Sequence, residues 1–228
     1  MNSNFSSNNS PKTLSAQVYD RIRELVVHQR LKPGTRIDQN QLATDLDVSL
    51  VPVREALKTL EAEGLVSIVP RRGAFVTEVS LEHLEDLYFT RRIIEGEAMY
   101  HAVEHITEHH LEHLEKLNLQ MQKETDARNI KAFMEHNREF HMLIYEAIGS
   151  EHFLQTIVSL WERSELYRYR YMFVLNNADQ VHAEHMGIIE ACRDKDPNRA
   201  RHIAHDHINN TRNGLIQELQ QQLEEQSD

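Results

Sequence analysis

Three histidines fall at positions that point away from water. His141 shares a helical face with Met134, Ile144, Tyr145 and Ile148; His185 shares one with Val181, Ile188, Ile189 and Cys192; His207 shares one with Ala200, Ile203 and Ala204. A side chain on an apolar stripe faces inward, and a buried imidazole needs partners. Three that converge supply the nitrogen donors of a divalent-metal site, with zinc and nickel the ions that imidazole suits. Asn137 lies one turn before His141 and can add an amide oxygen. The competing reading is three separate core histidines, each hydrogen-bonded to its own neighbours. A lone inward histidine is more often of that kind, so on spacing alone the plainer reading leads.

The other histidines divide on the same criterion. His101, His105, His109 and His113 are four apart, but Thr107 reads as a new helix cap that breaks the stripe, so they are expected in solvent. His202 and His205 fall off the apolar face and are expected to be exposed, whereas His136 lines up with Phe140 and Leu143. Arg91 and Arg92 are the second candidates for chemistry. One of them should face inward, where its planar fork can hold the carboxylate of a small organic acid; the alternative is a surface salt bridge with Glu95. The run Tyr167 to Tyr171, with Arg168 and Arg170 between the tyrosines, looks like a nucleic-acid stretch. At helical spacing it should instead divide between pocket, interface and surface.

A different chemistry belongs to residues 31–76, LKPGTRIDQNQLATDLDVSLVPVREALKTLEAEGLVSIVPRRGAFV. Lys32-Pro33-Gly34 is a turn. Asp38, with Gln41 three residues on, resembles a capping box that opens a helix through Leu46. Ser49 caps the next helix, with Pro52 in its first turn, Val53, Leu57 and Leu60 inward and Gly64 as its stop. Strand-like runs Leu65–Val69 and Ala74–Val76 flank Pro70-Arg71-Arg72-Gly73. This order outlines a winged helix-turn-helix, whose second helix presents its first turn to DNA base edges. The candidate contacts are Asn40, Ser49, Leu50, Val51 and Arg54, with Arg71, Arg72 and Gly73 of the hairpin and Lys12 reaching the adjacent backbone. The starts of both helices can also hold phosphate through backbone N–H groups. A small helical domain with ordinary surface arginines is the competing reading, but it does not account for the ordered set of turns, caps and basic hairpin.

The elements that position these residues follow from periodicity. Residues 1–11 are Asn/Ser-rich and expected to be disordered. An amphipathic helix starts at Leu14 and stops before Lys32, so a DNA-binding domain spans 12–78. Helical patterns then run over 81–105, 107–126, 129–147, 151–174, 178–194 and 197–222, giving an all-helical effector and dimerisation domain over 79–222 and a frayed end at 223–228. The fold class is mostly α: a winged helix-turn-helix followed by a helical bundle.

Composition sets the limits. The 228 residues carry a net charge of -11, but residues 1–78 hold 10 Lys+Arg against 9 Asp+Glu, so the acidity lies wholly in the second part. The near-neutral first part removes the objection that acidity raises to DNA binding. No apolar run spans a membrane, the N-terminus is no secretory signal, and the single cysteine, Cys192, cannot form an internal disulfide; a cytoplasmic protein is expected. A di-metal carboxylate bundle would need Glu-x-x-His on two helices. No histidine has a Glu three residues before it, and no His-Glu-x-x-His, Gly-x-Ser-x-Gly or P-loop occurs. An enzyme is therefore not expected, and a helical adaptor would have no use for the winged module.

LKPGTRI, QLATDLDVS, PVREALKTLEAEGLV and PRRGAFV, in that order, closely resemble the GntR family of bacterial transcription regulators. LYFTRRIIEGEA and the later FH, EH and HI segments resemble its FadR-like subfamily with an FCD-type effector domain. The resemblance runs from residue 12 to about 215. It implies a homodimer on a short palindromic double-stranded operator, engaged or released when a small molecule binds. It also implies a metal site made of an Asp, a His four residues later and two His from separate helices, positions that fall on Asn137, His141, His185 and His207. Two departures stand out. Leu50-Val51 occupies the place of the usual Arg-Thr after Ser49, and Asn137 replaces the usual Asp.

Overall fold

A computed structural model describes residues 13–28, 30–78, 80–171 and 178–225, without the side chains of 166, 169–171 and 222–225. The expected tail at 1–11, the last three residues of the tail expected at 223–228, Lys12 and the expected last turn at 172–174 lie outside the described residues. The chain divides into two compact units, Met1–Glu78 and Val79–Asp228.

In the first unit α1 (Leu14–Val27) is followed by β1 (Arg36–Ile37), α2 (Gln39–Asp45), α3 (Leu50–Ala62), β2 (Val66–Val69) and β3 (Gly73–Val76). Val18, Ile22 and Val26 of α1 meet Val53, Ala56, Leu57 and Leu60 of α3, all buried. Each set repeats at three and four residues, which is one helical face. Truncating a residue such as Leu60 to Ala would cost about 2–5 kcal/mol. β3 is the centre of an antiparallel sheet of order β1-β3-β2. Sequence reading supplied β2 and β3 but not β1, whose two residues are too few to show alternation; Arg36 pairs with Phe75 and Ile37 with Ala74. Gly64 ends α3 at φ +76°, a left-handed backbone that glycine adopts without strain.

Two capping expectations need correction. Asp38 accepts hydrogen bonds from the backbone N–H of Asn40 and Gln41, yet the Gln41 amide donates to Asp45 (2.7 Å), so the reciprocal half of the box is missing. Ser49 occupies the N-cap of α3 but its side chain makes no capping bond.

The second unit contains α4 (Leu81–Ala102), α5 (Glu108–Asp126), α6 (Ile130–Glu146), α7 (Glu151–Tyr171), α8 (Ala178–Arg193) and α9 (Pro197–Glu225). α4 packs on α9, α7 and α6; α5 packs on α6 and α8; α8 packs on α9. Ser80 caps α4, and Thr107 with His110 closes a full capping box at α5. α4 ends at Ala102, earlier than the expected His105. Lys195, from the turn between α8 and α9, donates to the carbonyls of Val103 and Ile106 and satisfies backbone groups that a helix end leaves open. α9 continues past the expected 222 to Glu225.

Candidate functional site

The three inward histidines come together. His141 on α6, His185 on α8 and His207 on α9 are all buried, with ring centroids 5.0–5.1 Å apart. Their donor atoms lie within 4.8 Å of one another. Nε2 of His185 is 3.3 Å from Nε2 of His141. Two 2.0–2.1 Å metal–nitrogen bonds at a tetrahedral angle would set their nitrogens about 3.4 Å apart, so the spacing fits one ion between them. Burial, and then the neighbouring histidines and Arg168, hold His141 and His185 well below the usual imidazole range. Both are therefore neutral, the form that offers a lone pair. Phe140 stacks on His185 at 4.3 Å and fixes the plane of that ring.

Glu184 orients the third ring. Nδ1 of His207 lies 2.7 Å from its Oε2, while Asn210 and Gln180 donate to its Oε1 (2.7 and 2.9 Å). With Nδ1 engaged, Nε2 is the nitrogen His207 has left. Burial raises the Glu184 carboxyl pKa, but the bonds from His207, Asn210 and Gln180 outweigh it and the net shift is downward. Sequence reading missed Glu184 because its partners stand 23 and 26 residues away on another helix.

Beside the histidines lies a cavity of about 30 Å³ lined by Asn137, His207, Arg91, Arg168, Tyr88 and Trp161, among others. It has room for about two waters, or the head of a carboxylic acid. Asn137 is buried on this wall. Of the two arginine candidates, Arg91 points inward, and the ion pair with Glu95 forms there, buried rather than on the surface. Its Nε donates to Glu95 (2.6 Å), which also accepts from Tyr145 and Trp161 (2.9 Å each). Its Nη1 is buried with no hydrogen-bond partner. Arg92 is not on the cavity wall; its guanidinium lies over Phe89 at 5.9 Å. That removes it from the candidate acid site: it is the next residue round the helix and faces another way.

Arg168 is the cation that sequence reading did not single out. It is 8% exposed, sits 4.0 Å over the Trp161 ring, and has no carboxylate partner among the described residues. Burial, and then Arg91, push its pKa down to about 10. The signal was present: Ile157, Trp161 and Ser164 are buried on one face of α7, and Arg168 continues it. Tyr167 is also buried, its hydroxyl 2.7 Å from Nδ1 of His83; the rest of the tyrosine–arginine run lies outside the described side chains. Among the other histidines, His101, His105 and His109 are exposed, while His113 and His136 are intermediate. His205, expected in solvent, instead packs over Gly96.

In the first unit the candidate DNA contacts form two clusters. At α3, Val51 is 63% exposed, Leu50 is half-buried, and Arg54 is exposed with Nε 3.4 Å from the Gln39 side-chain oxygen. Because Ser49 does not cap, the first N–H groups of α3 stay open for phosphate. At α2 the Asn40 N–H is already taken by Asp38, so that helix start does not offer it. The hairpin turn holds Arg71 at φ +63° and Gly73 at φ +107°. Arg72 lies 5.8 Å over Phe75. A Cβ at Gly73 would meet Nε of Arg36 at 3.2 Å, so Arg36 joins the wing cations through the strand that periodicity did not reveal.

Comparison with known proteins agrees in both units. Residues 14–76 match the family described as bacterial regulatory proteins, gntR family, and residues 86–210 match the FCD domain. The HTH-type transcriptional repressor RspR of Escherichia coli (strain K12) is 26% identical over 200 residues, 88% of each chain. The HTH-type transcriptional regulator McbR of the same organism is 30% identical over 151 residues, 66% of this chain and 68% of its own. The solved structure of E. coli McbR/YncC superposes with a TM-score of 0.78 at 25% identity, covering 91% of this chain and 99% of that one. A putative GntR regulator from Rhodococcus sp. RHA1 shares the fold, with a TM-score of 0.68 at 19% identity. These relatives are transcription regulators rather than enzymes.

Proposed function

The chain belongs to the GntR family of bacterial regulatory proteins and carries an FCD domain, which makes it a DNA-binding transcription regulator; on that premise we propose that a small organic acid, held beside a divalent metal, sets its operator affinity. The observation that carries the acid is Arg168. A buried cation with no carboxylate partner among the described residues is costly to hold, and an anionic ligand would neutralise it. Nη1 of Arg91 supplies an unused donor on the same wall.

For the metal, zinc or nickel, the donors would be His141, His185 and His207, with the neutral amide oxygen of Asn137 as the weak fourth. A bound divalent ion would supply a positive docking point for a carboxylate oxygen. The chain's own groups set that point up: Glu184 turns His207, Phe140 holds the plane of His185, and the two arginines attract the acid.

On DNA, residues 12–78 would read the operator and residues 79–222 would hold the acid and the dimer contact. A homodimer on a palindrome is what membership of this family implies. Arg54 suits a guanine or a phosphate, Leu50 and Val51 suit thymine methyls, and Arg36, Arg71, Arg72 and Lys12 suit the backbone. No helix among the described residues is long and apolar enough to cross a membrane, in keeping with a cytoplasmic regulator.

The test uses the full chain, metal-loaded and chelator-treated. Metabolites of all charge classes, carboxylic acids included, are screened by thermal shift and then by gel shift on an operator selected from genomic fragments. Arg168→Gln should abolish the acid response and leave operator binding without acid intact. A screen in which only neutral or cationic compounds shift the melting temperature would overturn the acid, and enrichment of no sequence would overturn the DNA reading.

A further inference from the structure

A second polar cavity of about 40 Å³ is lined by Asn118 and Met121 of α5, Phe133 of α6, and Val181, His182 and His185 of α8, among others, and His141 is not on its wall. Three buried polar atoms of its lining residues have no hydrogen-bond partner among the described residues: Oδ1 of Asn118, Nδ1 of His182 and Nδ1 of His185. Asn118 is 1% exposed. Unpaired groups at that depth are uncommon and expensive. None bonds directly to another, so what joins them must fit between. A water needs two to four polar partners and this much space.

The orientation of Asn118 is not arbitrary. Its Nδ2 donates to the backbone carbonyl of His182, 3.3 Å away across the α5–α8 interface. With the nitrogen spent there, Oδ1 is the atom left over, and it can only accept. His185 is equally constrained, stacked on Phe140 with its Nε2 against His141. A neutral imidazole carries one N–H, so one ring of the His141–His185 pair donates and the other accepts. If His185 donates from Nε2, the Nδ1–H of His141 becomes a buried donor with no partner. If His141 donates, only a lone pair on His141 is unpaired, and a buried bare acceptor is the milder defect. The second arrangement puts the proton of His185 on Nδ1, the unpartnered nitrogen of a ring that lines the cavity.

We infer that this cavity is a water site through which Asn118 fixes the tautomer of His185, making Asn118 a positioning residue for the neighbouring histidine cluster. The consequence for metal rests on the reading proposed above. A ligating histidine almost always donates its other N–H to an acceptor. The water accepts from Nδ1–H of His185 and donates to Oδ1 of Asn118 and Nδ1 of His182, and Nε2 of His185 is left bare toward His141.

The test begins without metal. In the full chain labelled with ¹⁵N-histidine and treated with chelator, long-range ¹H–¹⁵N correlation should show His185 protonated on Nδ1 and bare at Nε2. Asn118→Leu, which keeps the branched shape and removes the polar atoms, should shift His185 toward the other tautomer, whereas Asn118→Asp, which still accepts, should not. Zinc affinity by chelator competition should then fall 10- to 100-fold in Asn118→Leu and hold in Asn118→Asp. A wild-type His185 protonated on Nε2, or a tautomer unmoved by Asn118→Leu, would overturn the inference. The wild-type spectrum needs no variant to fold. Were the wild type to take up no zinc, the metal reading would fall, and the tautomer would still decide the water site by itself.

Discussion

Nδ1 of His207 lies 2.7 Å from Oε2 of Glu184, and this contact ties α9 to α8 at the histidine cluster. A carboxylate behind a ligating imidazole fixes its ring and raises its basicity. Glu184→Gln keeps an acceptor and loses the charge; Glu184→Ala loses both. Metal affinity should fall by about tenfold in the first and approach a hundredfold loss in the second, read by competition against a chromophoric chelator. Equal affinity in Glu184→Ala and wild type would mean that the pair is only structural.

Gly96 and His205 define the contact of α4 with α9. A Cβ on Gly96 would stand 2.1 Å from Nε2 of His205. Gly96→Ala should therefore destabilise, by about 1 kcal/mol, the low end for overpacking because the half-exposed imidazole can swing aside. In a His205→Ala background the clash is gone and only helix propensity remains. The same substitution should then stabilise by about 0.5–1 kcal/mol. Urea unfolding of the four proteins measures the sign change, and equal effects in both backgrounds would refute the contact.

What was legible in the sequence depended on whether the signal was local. The caps Ser80 and Thr107, Gly64, the hairpin and the apolar stripes carrying His141, His185 and His207 are read within one or two turns. Arg36 pairs with Phe75 in a strand of two residues, too short to alternate. Glu184 and Lys195 act on residues of other elements, so no spacing marks them. Arg168 was within reach, since α7 carries it on the face of Ile157 and Trp161. Helical spacing divided its run between pocket, interface and surface without marking which residue turned inward.

At the wing, Arg36 packs on Gly73 beside Arg71 and Arg72. A phosphate contact carries no base information. Arg36→Ala should weaken binding about equally to matched and mismatched sites. It should also reduce the slope of log affinity against log salt by about 0.9. Fluorescence anisotropy across a salt series measures both, and an unchanged slope would remove Arg36 from the interface.

Cys192 is fully buried, and that burial pushes its thiol from the usual 9.0 up to about 11, with Lys195 pulling back only in part. The unfolded chain loses this proton first. The buried thiol's contribution is thus whole below the unfolded value and is lost as pH rises from about 9 to about 11. The stability of wild type relative to Cys192→Ala should fall by ~1 kcal/mol per pH unit over that window. Denaturation of both proteins at a series of alkaline pH values checks this, and a constant difference would contradict it. At pH 8 the native thiol should also resist Ellman's reagent until urea unfolds the chain.

Asn137 stands on the cavity wall where the family pattern has an aspartate, and it is 3% exposed. An amide oxygen is neutral and a poorer donor to a cation than a carboxylate, so the native site should bind metal weakly and yield it readily to chelator. Asn137→Asp adds one negative charge beside the histidines. Metal affinity should rise on the order of tenfold, about 1.4 kcal/mol. The same carboxylate would also face Arg168, which lines this cavity with no salt-bridge partner among the described residues. It would neutralise the charge that the organic acid is proposed to meet. Acid affinity should therefore fall while metal affinity rises, and operator binding should lose its response to the acid. Two titrations of one variant, zinc by competition and acid by calorimetry, test the trade-off. If both affinities rise together, Arg168 is not the acid's partner; if neither moves, Asn137 does not belong to the site.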